Sequence, residues 1–128
     1  MNILLDTHAF LWFVDDNPRL SQSARALIES DESQPFLSAA SLWEIAIKIS
    51  LGKLSLNQEY ETFIPHHLAL NGIGLLNISM EHTAALIVLP FHHRDPFDRL
   101  LAVQSKVENM TFVSADPVFD AYGVKRVW

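Results

Sequence analysis

The stretch Asn2-Ile3-Leu4-Leu5-Asp6-Thr7-His8 decides how the rest of the chain is read. A short apolar run that stops at a carboxylate has the length and composition of a buried strand. An acid ending such a strand is costly to bury without a partner. Beyond it, Thr7 can cap a helix over Ala9 to Phe13, which stops near Asp15-Asp16-Asn17-Pro18. Ser21 to Asp31 carries apolar residues at Ala24, Leu27 and Ile28, an amphipathic helical spacing. Pro35 to Ser38 reads as a second strand. Leu42, Ile45, Ala46 and Ile49 then fall at i, i+3, i+4 and i+7, predicting a helix from Ser41 to Ile49 closed by Gly52.

The alternation continues to the last residues. A helix is expected over Tyr60 to Leu70, a third strand over Ile73 to Ile78, and a helix capped by Ser79 that runs to Leu89 and stops at Pro90. Phe97 to Val107 is a further helix, Thr111 to Val113 a fourth strand and Val124 to Val127 a fifth. Strands separated by helices predict an α/β fold with a parallel sheet covered on both faces. No repeat or linker interrupts the pattern, so residues 1–128 are read as a single domain. In such a sheet ligands bind at the carboxyl ends of the strands.

Composition narrows the chemistry. The 128 residues are enough for a core without staples. Cysteine is absent, which excludes disulfides, a thiolate zinc site and a Cys nucleophile. Fifteen acids against nine bases give a net charge of −6. That balance excludes a basic nucleic-acid coat, whose affinity rests on Lys and Arg neutralising phosphates, and leaves open an enzyme that carries its own cations. Met1 to Val14 is apolar but is interrupted by Asp6 and His8 and lacks a basic leader. No apolar run approaches the roughly 18 residues of a membrane span. A soluble, cytoplasmic protein is expected.

Four acids lie just past strand ends or at the starts of the following helices: Asp6, Glu44, Asp98 and Asp116. Each of the last three has a purely structural explanation. Ser41-Leu42-Trp43-Glu44 matches a capping box; Asp95-Pro96-Phe97-Asp98 is an N-cap, a first-turn proline and a dipole-favoured acid; Asp116-Pro117 repeats the N-cap logic. The four together are another matter. Carboxylates sharing one rim must protonate or bind a cation. Oxygen-only ligands select Mg²⁺ or Mn²⁺ over zinc, and a pair of such ions about 3.5–4 Å apart suits phosphodiester hydrolysis.

These residues resemble the PIN-domain ribonucleases, and within them the VapC-type toxins of toxin–antitoxin pairs. The likeness runs through Leu4-Leu5-Asp6-Thr7-His8 with Leu11-Trp12, Ser41-Leu42-Trp43-Glu44-Ile45 with Lys48 and Gly52-Lys53-Leu54, His93 to Leu101, and Ser114-Ala115-Asp116 with Phe119 and Tyr122-Gly123. The resemblance implies a three-layer α/β/α sandwich around a short parallel sheet. It implies Mg²⁺- or Mn²⁺-dependent endonucleolytic cleavage of RNA, with Asp6, Glu44, Asp98 and Asp116 as the metal-binding, catalytic acids. It also implies a homodimer silenced by a VapB-type antitoxin. Asp95 is expected as an N-cap or outer group, and Ser114 as a hydroxyl beside the site. Thr7 is expected to bond Asp6 or a water there. Lys48 is read as an i, i+4 partner of Glu44 or an RNA contact. Arg99 has the same two readings beside Asp98, and Arg94 is a candidate phosphate contact. His92 and His93 are read as solvated loop histidines that could orient water. Trp12, Trp43 and Phe97 are read as core or partner contacts. A mean hydropathy of +0.15 points to a surface covered by a partner.

Rival acid sites fail on placement. A haloacid-dehalogenase-type phosphatase needs a second Asp where His8 stands, and a receiver domain needs a carboxylate where the third strand ends in Asn77-Ile78-Ser79. Gly72-Ile73-Gly74 precedes a strand and so is no phosphate loop. The rival of a different class is a PIN-like module that binds protein or RNA without catalysis. Its mark would be the loss of a site acid, and none of the four is missing.

Overall fold

The computed structural model describes residues 1–128. One sheet of five parallel strands organises them: β1 (Asn2–Leu5), β2 (Gln34–Ser38), β3 (Gly74–Leu76), β4 (Thr111–Val113) and β5 (Lys125–Val127). Their order across the sheet is β3-β2-β1-β4-β5, so the first strand of the chain is the central one. The helices are α1 (Thr7–Val14), α2 (Gln22–Glu29), α3 (Ala39–Ser50), α4 (Tyr60–Leu70), α5 (Met80–Ile87) and α6 (Pro96–Val107).

The period-2 geometry of the strands splits the core. Ile3 and Leu5 of β1 join Leu37 and Val113 on one face, where Phe10, Ala24, Ile28, Phe63 and Ile64 of α1, α2 and α4 cover them. Leu4 and Phe112 point the other way, into Leu100, Leu101, Val103, Phe119 and Tyr122. Helix α3 serves both layers, with Ile45 in the first core and Ala40 in the second. This is the three-layer α/β/α sandwich that the sequence implied.

Most element ends follow their local chemistry. Ser21 Oγ accepts the Ala24 N–H, and Ser79 caps α5 as expected, with His82 completing a reciprocal capping box. Two expectations at helix starts are corrected. Helix α3 begins at Ala39, directly off β2, with Ser38 as its N-cap, so Ser41 and Glu44 lie inside the helix and form no capping box. Asp6, not Thr7, is the N-cap residue of α1. A 3₁₀ helix over Pro117–Tyr122, not anticipated from the sequence, follows β4 and closes at Gly123, whose φ of 72° needs a residue without Cβ.

A buried polar network ties the second layer together. The Ser38 hydroxyl donates to Gln104 Oε1 (2.6 Å), and Gln104 Nε2 lies 3.3 Å from both the Asn77 carbonyl and His82 Nδ1. The Ser79 N–H also donates to His82 Nδ1, so the ring proton sits on Nε2 and faces Glu108 Oε2 at 3.3 Å. The N-terminus of α3 is thereby pinned to α6, the two helices that carry Glu44 and Asp98. No helix is long and apolar enough to cross a membrane.

Candidate metal centre

Strand β1 lies between β2 and β4, and the chain leaves it toward one side of the sheet and returns on the other. The crevice at the carboxyl ends of β1 and β4 is therefore a topological switch point. Asp6 ends β1; Asp116 follows β4 and caps the 3₁₀ helix; Asp98 stands in the first turn of α6. A cavity of about 190 Å³ lined by Asp6, His8, Trp12, Asp98 and Asp116 opens there. Glu44 comes in from α3, close enough for its charge to raise the proton affinity of both Asp6 and Asp98. The structure thus brings together the four acids that the sequence singled out.

Three of these carboxylates have one oxygen beside a polar side chain. The Ser114 hydroxyl donates to Asp6 Oδ2 (2.7 Å), Lys48 Nζ pairs with Glu44 Oε2 at 3.1 Å and His93 Nε2 lies 3.0 Å from Asp98 Oδ2. His93 Nε2 also lies 3.4 Å from Asp116 Oδ2, while Asp116 Oδ1 accepts the Val118 N–H. Glu44 Oε1 is buried without any hydrogen-bond partner. An orphaned carboxylate oxygen is expensive, and its placement beside other acids calls for a cation.

Electrostatics express the same strain. Burial pushes the Asp98 carboxyl up to about 8, helped by the charges of Asp6, Asp95, Glu44 and Asp116. Burial also raises Asp6, against the opposing hydrogen bond from Ser114. Carboxylate oxygens from four segments, one of them unpartnered, are a donor set that fits a hard divalent cation.

The surrounding residues divide. Ser114 meets Asp6 as expected, and Lys48 pairs with Glu44. Asp95 is an N-cap, its Oδ1 accepting the Phe97 and Asp98 amides. Thr7 is corrected: its hydroxyl donates to Ser41 Oγ (2.8 Å), tying α1 to α3 instead of bonding Asp6. Arg99 is corrected as well. It is buried, donates to the Pro90 and Leu89 carbonyls, and stacks on Phe91 at 3.8 Å, so it braces the segment before α6 and does not pair with Asp98. Arg94 is exposed. His93, read from the sequence as a solvated loop histidine that could orient water, lies against two of the acids, with Nε2 and one oxygen each of Asp98 and Asp116 within 4.8 Å of one another. Its local signal was its place two residues before the Asp95 cap. Asp116, its other neighbour, arrives from a distant strand.

A parallel α/β sandwich with clustered acids at its switch point defines a class, and the family is clear: the chain belongs to the PIN domain family, whose model matches residues 3–125. It is similar to Ribonuclease VapC16 of Mycobacterium tuberculosis (strain ATCC 25618 / H37Rv), 36% identical over 72 residues. That match covers 53% of this chain and 51% of the relative, so it spans about half the length of each. Among solved structures, VapBC2 from Rickettsia felis bound to a promoter DNA fragment matches with a TM-score of 0.75 at 15% identity, covering 99% of this chain and 98% of that one. FitAcB from Neisseria gonorrhoeae matches with a TM-score of 0.67 at 19% identity over 98% and 96%. At these identities the likeness to the solved structures is one of fold.

Proposed function

We propose that this chain is a metal-dependent endoribonuclease, the toxin of a toxin–antitoxin pair, which acts in the cytoplasm on RNA phosphodiester bonds. The observation that carries the reading is that Asp6, Asp98 and Asp116 line one cavity, while Glu44, with one buried oxygen that has no partner, is near enough to raise the proton affinity of Asp6 and Asp98. Family membership and the likeness to a curated ribonuclease support it.

Asp6, Glu44, Asp98 and Asp116 would hold Mg²⁺ or Mn²⁺. Such a cation, when bound, polarises the phosphate and lowers the pKa of water for attack. The chain's own part is to aim and tune the acids. Ser114 and Lys48 fix Asp6 and Glu44, and Asp98 keeps a proton at neutral pH until a cation takes its place. No protein nucleophile is needed, in keeping with a chain without cysteine. Bound cations also offset the net charge of −6 that would otherwise repel RNA.

Partners follow from the surface. A cleft of about 450 Å³ adjoins the acidic cavity, shares His8 and Trp12 with it, and is lined further by the apolar Leu11, Leu54, Leu56 and Phe63 and by the polar Asp15, Asn17, Ser55 and Asn57. We assign it to a VapB-type antitoxin segment, in keeping with the toxin–antitoxin complexes among the similar folds. Met80 and Ile87, two turns apart on α5, and the following Val88 and Phe91 are more than four-fifths exposed, which supports a homodimer through this face.

The test is cleavage of a mixed structured-RNA pool by antitoxin-free protein, with Mg²⁺, Mn²⁺ or EDTA, beside Asp98→Asn. Cleavage that needs both the metal and Asp98 is expected. Full activity of Asp98→Asn, or cleavage in EDTA, would overturn the assignment.

A further inference from the structure

We infer that His93 is the positioning residue of this site: its Nε2–H holds the Asp98 and Asp116 carboxylates for the cation and is not itself a ligand. The inference rests on the metal-dependent reading above. The three candidate ligand atoms lie close together, and proximity alone would make His93 a third ligand. The hydrogen bond at the other ring nitrogen decides otherwise. The Asp95 N–H donates to His93 Nδ1 at 3.1 Å, so that nitrogen is the acceptor of a neutral imidazole and the proton is on Nε2. That Nε2 faces Asp98 Oδ2 at 3.0 Å and Asp116 Oδ2 at 3.4 Å. A protonated nitrogen has no lone pair to offer a cation. Metal-bound histidines show the reverse arrangement, donating from the second nitrogen to a carbonyl or carboxylate.

The ring is held from three sides. The His93 backbone N–H donates to Tyr122 Oη (2.8 Å), the ring lies 5.9 Å from that of Phe119, and the Asp95 amide fixes its tautomer. Phe119 and Tyr122 belong to the 3₁₀ helix that Asp116 caps, and both are buried. The sequence motif around Phe119 and Tyr122-Gly123 thereby acquires a purpose: it seats the histidine against the acids. His93 does for Asp98 what Ser114 does for Asp6 and Lys48 for Glu44, leaving the remaining oxygens to face the cation.

The experiment is a Mn²⁺ titration of the whole chain, followed by electron paramagnetic resonance, on wild type, His93→Ala, His93→Gln and Tyr122→Phe. Circular dichroism melts check that each variant is folded. His93→Ala is expected to weaken Mn²⁺ binding by about 10–100-fold, the usual cost of losing an outer hydrogen bond to a ligand. His93→Gln, whose side-chain amide can donate in the same direction, should recover most of that affinity, and Tyr122→Phe should show a smaller loss. Pulsed measurements on the wild type should show no directly bound ¹⁴N that depends on His93. A bound ¹⁴N that vanishes in His93→Gln would make His93 a ligand and overturn the inference. Unchanged Mn²⁺ affinity in His93→Ala would overturn it too. Failure of the wild type to bind Mn²⁺ at all would instead defeat the metal-dependent reading, and the inference with it.

Discussion

Asp98 keeps its proton at neutral pH in the cation-free protein, because burial and four neighbouring carboxylates push its pKa to about 8 from an ordinary 3.8. The folded state therefore binds this proton more tightly than the unfolded chain does. Its stabilising contribution is complete below about 3.8 and is lost as pH rises through about 8. Asp6 is raised as well and adds the same sign. Without metal, the melting temperature should fall as pH climbs through this window. Asp98→Asn should flatten the fall, and saturating Mg²⁺ should raise the melting temperature most at the alkaline end. Melts recorded across the window with and without Mg²⁺ check this; a cation-free protein that grows more stable toward pH 8 would contradict it. At this scale the sequence was informative wherever the chemistry was unusual for its place. An acid closing an apolar strand stood out at Asp6. Arg99 and Thr7 were misread because adjacency in sequence says nothing about which way a side chain turns on a helix. Arg99 sits beside Asp98 yet braces the backbone at Leu89 and Pro90.

Elements were legible where periodicity was long. The helices at 60–70 and 96–107 match their expected spans to within a residue, as do β1, β2 and β4. Strand β3 proved shorter than its apolar run, and α5 ends two residues before Leu89. The capping box at Ser41 failed for a physical reason: β2 passes into α3 with no loop, and Ser38 already caps the helix. That junction depends on Gln104, which no local pattern reveals because its partners come from β2, the loop before α5, and α5 itself. Gln104→Ala leaves buried groups of Ser38 and Asn77 without this partner, and each such loss costs about 1–3 kcal/mol. The expected result is a large drop in stability by urea denaturation; a change near zero would show that the network does not hold α3 to α6.

Across the whole molecule the apolar surface around α5 is unusual. Ile87 is 84% exposed, so a charge placed there costs the isolated fold little. Ile87→Asp is expected to convert the proposed dimer to a monomer by light scattering while its circular dichroism stays that of the wild type. A wild type that is monomeric at all concentrations would refute the dimer, and a variant that stays dimeric would move the interface elsewhere.

The placement of β1 at the centre of the sheet has a consequence for how the protein is made. Its two neighbours are β2 and β4, so β1 must wait for residues 111–113 before both its edges are paired. Asp6 and Asp116 meet only after that wait, so the acidic crevice assembles late relative to its first strand. A half-made chain carries Asp6 and Glu44 but lacks Asp98, Asp116 and Ser114. The acidic crevice is therefore incomplete until β4 and the segment that follows it have been made.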